Sequence, residues 1–573
     1  MTWSKQLMVL ALGLMVVACT PASPGPSQAP PSGGRPAAAG QSQRTAVMAI
    51  RLEPNTLALR PPRETFANID HNRLFNADFA TIDDRAVPQP YLVEALPTLN
   101  TDNWQVQPDG RMRTTFRFRP NISWHDGTPM TTEDYVFAWR VYSTPEVGLS
   151  RQPPFDAIES VTAPDARTLV IDWKRPYPDA AHMAGREVNY PALPRHLLEA
   201  YFTPEGIENF VNQPFWAREY IGLGPYREVS WEPGAFIEAV AFDSHVTGRP
   251  KIDRIRIVFI GDRNTALANV LAGEVHFTAP TVLGVEQAVT IERDWGPRQG
   301  GSVINQFFLW RGIYIQFLPA FQTPRALNDV RVRRALAYTV DKELINEAAN
   351  SGQALEADYY LPSTSKWGAA VDRGAVKYRL DPRISDQIMR DAGYDKGRDG
   401  FYVHPTDGRL MIQLATNSGG SGEQEVATLA DEWQKNGFTI EQKIIPAALS
   451  LDVESRGSFP GLFVTTNRAT ERTAVSPIPG NIPNPENNWR GGSQTSWTHP
   501  TYTTLVSQFT ASLVPDERAE VLSQMARVFT DDVGGISLHF QPTPLAIVAA
   551  LRGPRAGASE TNIWWNVQEW ELN

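Results

Sequence analysis

Few of the residues that could perform chemistry stand in a catalytic pattern. His125 and Asp126 are adjacent and could form a His–Asp pair, but residues 124–129 (WHDGTP) are more typical of a turn. Two acidic pairs are more typical of solvated helix faces than of acid–base dyads: Glu423 with Glu425, and Asp531 with Asp532. The sequence has no H-E-x-x-H, G-x-S-x-G, Walker or G-x-G-x-x-G motif. These patterns do not favour an enzyme.

Metal-ligating residues are equally scattered. The nine histidines lie between His71 and His539, and none forms an i, i+4 pair on a helix. The single cysteine, Cys19, excludes a cysteine-based zinc cluster and an intrachain disulfide. No local pattern predicts a metal or a cofactor, although a metal site assembled from distant residues stays open.

Composition sets the class of protein. The 573 residues are 42% hydrophobic and 20% charged, which predicts a globular chain of two to four folding units. A net charge of −10 without a long basic run makes nucleic acid a poor partner. With 16 Trp, 16 Tyr and 25 Phe, the chain has many aromatic side chains that could line a ligand pocket.

The amino-terminal segment is typical of an exported, lipid-anchored protein. Lys5 precedes an apolar run at residues 7–17, which is too short to span a bilayer but fits the hydrophobic part of a signal peptide. Cys19 follows directly, as in a lipobox. We therefore interpret residues 1–19 as a lipoprotein signal peptide and residues 20–44, rich in Pro, Ser, Gly and Ala, as a flexible tether. The alternative is an ordinary secretory signal in which Cys19 is incidental.

Beyond the tether, strand and helix patterns alternate, which predicts α/β layers. Alternating apolar and polar residues predict strands at residues 113–119, Thr168–Trp173 and 252–260. Apolar residues at helical spacing predict helices at residues 267–271 and 521–529. Thr131 and Asp134 form a capping box that opens another helix, and Gly273 is a predicted helix stop. Residues 476–494, rich in Pro, Asn and Gly, predict a long loop.

Several segments in chain order resemble blocks of one family. They are residues 116–139 (FRFRPNISWHDGTPMTTEDYVFAW), 222–231 (GLGPYREVSW), 251–275, 328–342 (NDVRVRRALAYTVDK), 381–394 (DPRISDQIMRDAGY) and 517–545. The family is bacterial extracellular solute-binding protein family 5, the oligopeptide- and dipeptide-binding proteins of ABC importers. The resemblance covers about residues 45–570.

The resemblance implies an α/β fold of the periplasmic-binding-protein type II class, with two hinged lobes and a domain inserted in lobe one. Lobe one would comprise residues 45–75, 185–302 and 538–573. The inserted domain would be residues 76–184 and lobe two residues 303–537. Ligand would bind between the lobes, which close around it.

The implied function is capture of a peptide or similar organic solute and its delivery to an ABC permease, by a monomer without enzyme activity. Alternatives are an extracytoplasmic sensor of the same fold, or a receptor for a sugar, an opine-like compound or a metal chelate. A secreted hydrolase is the weakest alternative, because no nucleophile or metal motif supports it.

One departure from the family concerns the ligand's amino terminus. In peptide-binding members, an acidic residue after a Gly-Trp-like strand end pairs with the peptide α-ammonium. The corresponding strand here resembles residues 461–466 (GLFVTT), and the acidic position falls near Ala469. Either Glu471 substitutes, or the ligand presents no free amino terminus there. Arg468 and Arg472 could instead bind a carboxylate or phosphate, or belong to a solvated loop.

The resemblance places further candidates at the cleft. We expect the lobe-two side to be lined by Thr465, Asn467, Arg468 and Glu471. Alanine at Arg468 or Glu471 is expected to weaken binding by more than about 1 kcal/mol.

Four more residues end predicted strands or lie in loops that could reach the cleft: Glu53, Asn55, Asn417 and Trp489. Each could instead have a purely structural role, in a turn before Pro54, at a strand end or in the Asn-rich loop around Trp489.

Overall fold

The computed structural model describes residues 44–63, 70–184, 188–450 and 452–573. The predicted signal peptide, the lipobox Cys19 and nearly all of the predicted tether lie outside the described residues. Within the described ranges, no helix is both long enough and apolar enough to cross a membrane.

Helices and strands alternate along the described chain, as predicted. The helices are α1 Thr132–Ser143, α2 Arg195–Leu198, α3 Ile207–Val211, α4 Arg263–Leu271, α5 Val285–Arg298, α6 Val330–Ala337, α7 Lys342–Asn350, α8 Gly368–Gly374, α9 Pro382–Asp391, α10 Gly422–Lys435, α11 Val453–Gly457, α12 Glu471–Val475, α13 Pro500–Ala511 and α14 Pro515–Asp531. The strands are β1 Thr45–Ile50, β2 Ala80–Ile82, β3 Pro88–Pro90, β4 Trp104–Val106, β5 Met112–Arg117, β6 Ile158–Asp165, β7 Thr168–Trp173, β8 Tyr226–Glu232, β9 Phe236–Ala241, β10 Arg254–Phe259, β11 Phe277–Thr278, β12 Gly301–Ile315, β13 Leu355–Glu356, β14 Asp395–Lys396, β15 Tyr402–His404, β16 Gly408–Arg409, β17 Met411–Asn417, β18 Thr439–Ile445, β19 Leu462–Arg468, β20 Gly535–Val548, β21 Leu551–Arg552 and β22 Glu571–Leu572.

One mixed sheet runs through the molecule in the order β18-β17-β19-β12-β20-β11-β1-β10-β9-β8, with β13 on β20. Its two long strands, β12 and β20, are antiparallel from the pair Gly301–Val548 to the pair Tyr314–Gly535. At one end β20 pairs with β11, and towards the other end β12 pairs with β19. The two strands therefore cross from one side of the molecule to the other. A separate sheet, β4-β5-β7-β6, lies in the region of the predicted insertion.

The buried side chains form three cores. The first lies towards the end of the crossing strands where β12 begins, and the other two lie towards the end where β12 finishes. The first core draws on residues 46–304 and 545–570, and the other two on residues 310–540. We call the residues packed around the first core lobe one, and those around the other two cores lobe two. The exact domain limits given above remain a prediction.

Local sequence signals place several elements correctly. The strands predicted at residues 113–119 and 252–260 correspond to β5 and β10, and Thr168–Trp173 is β7. The Asp134 carboxylate accepts the Thr131 N–H at 2.9 Å, which opens α1 as the capping pattern predicts. Gly273 lies two residues after the last residue of α4 and has φ +77°, the left-handed conformation that ends a helix, as predicted.

The interpretation of Glu425 as part of a solvated helix face is wrong. Glu423 is exposed, but Glu425 is fully buried on α10. Its carboxylate accepts hydrogen bonds from the Arg311 guanidinium on β12 and lies 3.2 Å from His539 Nε2 on β20. The Arg311 cation from β12 and the polar His539 ring from β20 therefore offset the cost of burying this acid.

His125 has the structural role that its turn sequence predicts. Its Nδ1 accepts the Gly222 N–H at 3.2 Å and its Nε2 lies 3.0 Å from the Gly224 carbonyl oxygen, an arrangement that fits a neutral ring protonated at Nε2. Gly224 in turn donates its N–H to the Phe75 carbonyl oxygen at 3.0 Å. The ring thus joins the turn at residues 124–129 to the GLGPY segment, and the Gly224 N–H joins that segment to the chain at Phe75.

Replacing Gly224 with alanine is expected to lower the free energy of unfolding by about 2 to 3 kcal/mol. A Cβ at this position would lie 2.3 Å from the backbone nitrogen of Asn76, so the backbone must shift. Gly480→Ala is the control, because a Cβ there meets no atom within 4 Å; it should leave stability unchanged or raise it by up to about 1 kcal/mol. Urea unfolding of both variants measures the difference, and equal midpoints would contradict the expectation.

Stability should fall as the pH drops from 6.5 towards 4, because burial lowers the pKa of His125 to about 4. Above pH 6.5 the ring is neutral in both the folded and unfolded chain. Below it, the unfolded chain binds a proton that the folded chain does not, which costs roughly 3 kcal/mol once the pH reaches 4. Urea unfolding at several pH values should show a shallower dependence for His125→Gln than for the wild type. Parallel curves would contradict this assignment.

Candidate functional site

Strand β19 carries most of the residues predicted for the lobe-two side of the cleft. Thr465 lies opposite Gly312 of β12, and Arg468, at the carboxyl end of β19, lies opposite Leu309. Thr465 and Arg468 are both half-buried. The register therefore directs the carboxyl end of β19 towards the middle of the crossing strands.

Asn467 and Ala469 serve the internal structure of this strand end. Asn467 Nδ2 donates to the Tyr314 hydroxyl oxygen at 2.9 Å, and its Oδ1 lies 3.4 Å from Thr473 Oγ1. Ala469 is fully buried and donates its N–H to the Phe308 carbonyl oxygen at 2.8 Å. The position at which the resemblance implies an acid is thus an enclosed alanine.

Glu471 is the centre of a charged cluster at the start of α12. Its Oε1 accepts the Trp367 indole N–H at 2.8 Å and lies 2.7 Å from Lys366 Nζ. Its Oε2 accepts a hydrogen bond from Arg518 at 2.5 Å. The Arg518 guanidinium also stacks over the Phe509 ring, 4.3 Å from its centroid. This cluster joins the segment before α8, the start of α12 and the start of α14.

The charges in this cluster shift one another's pKa values. Burial alone would raise the pKa of Glu471, but Lys366 and Arg518 outweigh it and hold the pKa at about 2. Burial would lower the pKa of Lys366, yet Glu471 raises it overall. Glu471 is therefore ionised at neutral pH and already paired within lobe two. Its predicted role as a partner for a ligand ammonium remains a prediction.

Lobe one brings its own ionisable groups within electrostatic reach of this cluster. His182 Nε2 lies 3.5 Å from Asp179 Oδ1, and Glu560 Oε2 accepts the Ser559 hydroxyl at 3.0 Å. Burial lowers the pKa of His182, on which the charges of Asp179 and Lys366 also act. Burial raises the pKa of Glu560, on which the charge of Lys366 also acts. Charges of lobe two therefore act on ionisable groups of lobe one here.

Arg60 is a half-buried arginine of lobe one on which the charge of Arg472 in lobe two acts. Arg60 Nε donates to Asn189 Oδ1 at 2.6 Å, and its NH2 donates to the Pro153 carbonyl oxygen at 3.0 Å. Burial lowers the pKa of Arg60, and the positive charge of Arg472 lowers it further. The charge of Arg472, in lobe two, therefore reaches Arg60 in lobe one.

Of the two lobe-one residues predicted from the sequence, Glu53 lies at the outer edge of the large sheet. Glu53 accepts the Trp231 indole N–H at 2.7 Å and the Gly234 N–H at 2.8 Å, both in the β8–β9 hairpin. Asn55 is exposed. Glu53 therefore holds the edge hairpin in place, and the structure does not bring it to the Glu471 cluster.

Asn417 and Trp489 belong to two different parts of lobe two. Asn417 ends β17, in register with Ile445 of β18 and half-buried. The Trp489 ring packs 5.8 Å from Phe321, and its edge lies beside Gly457, close to the start of β19 rather than its end. A role for Trp489 in the wall of the cleft therefore remains a prediction.

Sequence reasoning missed most of the charged groups between the lobes. Each comes from a segment far along the chain from β19 and carries no local motif: Arg60, Asp179, His182, Lys366, Arg518 and Glu560. The arrangement offers donors and acceptors for a charged or polar ligand. Among the residues that the structure describes, no group of three or more His, Cys, Asp or Glu lies close enough together to hold a metal ion.

Comparison with known proteins identifies the family. Residues 94–472 match the family described as bacterial extracellular solute-binding proteins, family 5 Middle. The chain belongs to this family. The family consists of solute-binding proteins rather than enzymes, which confirms the class predicted from the sequence.

Relatives and solved structures agree with this assignment. The oligopeptide-binding protein AppA of Bacillus subtilis is 23% identical over 380 residues, which are 65% of this chain and 66% of that protein. The chain spans about half to two thirds of the length of the curated relatives it matches.

Solved structures extend the likeness to nearly the whole chain. NikZ of Campylobacter jejuni in complex with Ni(L-His) gives a TM-score of 0.70 at 20% identity, over 93% of this chain and all of that one. The oligopeptide-binding protein of Thermus thermophilus with a pentapeptide gives 0.68 at 20%, over 92% and 96%. The two-lobed α/β fold of the periplasmic-binding-protein class is confirmed.

Proposed function

We propose that the protein is an extracytoplasmic receptor that captures a peptide or similar organic solute between its lobes and delivers it to an ABC permease. One observation carries the proposal. The crossing strands β12 and β20 join two lobes, and the charges of the Glu471 cluster in lobe two act on His182 in lobe one. Such an arrangement can close on a ligand and reopen at a cost of only a few kcal/mol.

Peptide is the preferred ligand class. AppA and the Thermus protein are named for oligopeptides, and the Thermus structure contains a pentapeptide. The charged groups between the lobes suit a ligand with separated positive and negative ends. NikZ, whose structure contains Ni(L-His), supports a small metal chelate as the second candidate.

The cellular setting completes the proposal. Residues 1–19 would direct export and Cys19 would receive the lipid, so that residues 20–44 tether a monomeric receptor to the membrane surface. Lobe one would comprise residues 45–75, 185–302 and 538–573, with residues 76–184 inserted and residues 303–537 forming lobe two. Delivery to a permease, and not catalysis, is then the activity.

Native mass spectrometry of the protein, purified in mild detergent without denaturation, tests the ligand class. A ladder of bound peptide masses, absent after denaturation and refolding, is the expected result. One recurring non-peptide mass would replace the peptide by another solute. An empty protein that also fails to take up added peptides would overturn the peptide assignment.

A further inference from the structure

Glu560 has a carboxylate that the protein satisfies only in part. It lies in a turn that is fastened to the chain near β2, where the Ala558 N–H donates to the Asp84 carbonyl oxygen at 3.1 Å and the Thr561 hydroxyl to the Asp83 carbonyl oxygen at 2.6 Å. Its Oε2 accepts the Ser559 hydroxyl at 3.0 Å. Its Oε1 is buried and has no hydrogen-bond partner among the described residues.

The other acids of this region already have partners. Glu471 is paired with Lys366 and Arg518, and Asp179 lies 3.5 Å from His182. Lys366 acts electrostatically on Glu560 but lies against Glu471, at 2.7 Å. Among the described residues, Glu560 therefore forms no ion pair, whereas Glu471 pairs with two cations and Asp179 lies beside a histidine ring.

Glu560 is not sealed inside lobe one. The residue is half-buried, and the Lys366 side chain, whose charge acts on Glu560, keeps 34% of its surface exposed. A carboxylate oxygen withdrawn from water is costly unless it accepts a strong hydrogen bond, and a positively charged nitrogen donates the strongest ones. The neutral Ser559 hydroxyl cannot replace such a charge.

We infer that Glu560 binds a cationic nitrogen of the captured solute. The group is an ammonium or guanidinium, which a peptide offers as its α-amino group or as a Lys or Arg side chain. Glu560 comes from the carboxyl-terminal part of lobe one, so the cationic end of the ligand lies on that side and faces the Glu471 cluster of lobe two. This inference rests on the proposed function.

Three synthetic pools of tri- to hexapeptides test it: uncharged sequences with free amino termini, the same sequences N-acetylated, and N-acetylated sequences with one Lys or Arg. Each pool is titrated into the full-length protein and bound peptide is measured by native mass spectrometry. The wild type should bind at least one cationic pool about tenfold or more above the acetylated uncharged pool. The pool that binds more tightly shows whether the nitrogen bound by Glu560 belongs to the peptide α-amino group or to a Lys or Arg side chain.

Glu560→Gln should remove that preference while keeping the shape of the side chain. The preference is the ratio of the affinities of one protein preparation for two pools. A partly unfolded variant lowers both affinities by the same factor, so the ratio is unchanged. Glu205→Gln, at an exposed position, should keep the wild-type ratio. Asp179→Asn should also keep it, because His182 lies beside that carboxylate.

The outcomes separate the inference from the proposed function. Equal binding of all three pools by the wild type would overturn the role of Glu560 and leave peptide capture intact. So would a Glu560→Gln protein that loses affinity for every pool by the same factor, since that indicates an effect on lobe closure. Loss of the preference in Asp179→Asn alone would assign the cation to Asp179. Failure of the wild type to bind any pool would overturn both.

Discussion

Replacement of Glu425 with alanine is expected to lower the free energy of unfolding by about 3 to 5 kcal/mol. Glu425 is fully buried, and the Arg311 guanidinium that pairs with it is nearly so. Alanine would leave this cation buried without its counter-ion, together with His539, which is 3.2 Å away in the native protein. Urea unfolding followed by far-ultraviolet circular dichroism measures the effect. Because Arg311 and His539 lie on the crossing strands, the loss should weaken the junction between the lobes.

Asp431→Ala on the same helix is the matched control. Asp431 pairs with Lys435 at 2.6 Å, but both side chains are more than half exposed, so its removal should cost no more than about 0.5 kcal/mol. A double variant, Arg311→Met with Glu425→Leu, should recover most of the lost stability because it removes both buried charges. If Glu425→Ala unfolds at the same urea concentration as Asp431→Ala, the buried pair does not contribute as we argue.

The sequence predicts those parts of the fold that depend on neighbours along the chain. The alternation in Thr168–Trp173 is sufficient for a strand, because every second side chain must face the core. The capping residues Thr131 and Asp134 act within one turn of the helix that they open. His125 is predicted as structural because its turn residues stand beside it. Short-range physics decides each of these features.

The errors and omissions concern contacts between distant segments. Glu425 is predicted to be a solvated acid because nothing near it in the sequence indicates a partner. Its partner Arg311 lies 114 residues away and is brought close only by the folded sheet. The sequence shows Glu471 as a carboxylate that could pair with a ligand, but not that Trp367, 104 residues away, donates a hydrogen bond to it. A charged side chain next to a strand has the same local pattern whether it faces water, an ion-pair partner or a ligand. Sequence patterns alone therefore identify the family but not the ligand-binding groups.

The Ala469 position shows how the resemblance and the structure complement each other. The resemblance directs attention to the end of β19, where an acid is expected and an alanine stands. The structure adds that this alanine is enclosed and that the acid two residues later, Glu471, is held by two cations. A second acid, Glu560 on lobe one, has an oxygen without a hydrogen-bond partner among the described residues, which is why we infer that it binds the ligand cation.

Replacement of Glu471 with alanine is expected to affect stability and binding together, unlike replacement of Arg468. Removing the carboxylate leaves Lys366 and Arg518 close together without their counter-ion, which should lower the free energy of unfolding by about 3 kcal/mol. The same loss would misplace the groups that face lobe one, so peptide binding should weaken by more than about 1 kcal/mol. Thermal unfolding and titration with the free-amino peptide pool measure the two effects.

Arg468 provides the comparison, because it forms no ion pair with another described residue and its backbone stays paired with β12 in any variant. Arg468→Ala should therefore weaken peptide binding by more than about 1 kcal/mol with a change in unfolding free energy below about 0.5 kcal/mol. Glu471→Gln should fall between the two alanine variants, since an amide can still accept the Trp367 indole N–H but carries no charge for the two cations. If Glu471→Ala is as stable as the wild type, the cluster is not the structural ion pair described here. If both alanine variants bind peptides normally, the carboxyl end of β19 does not line the ligand cleft.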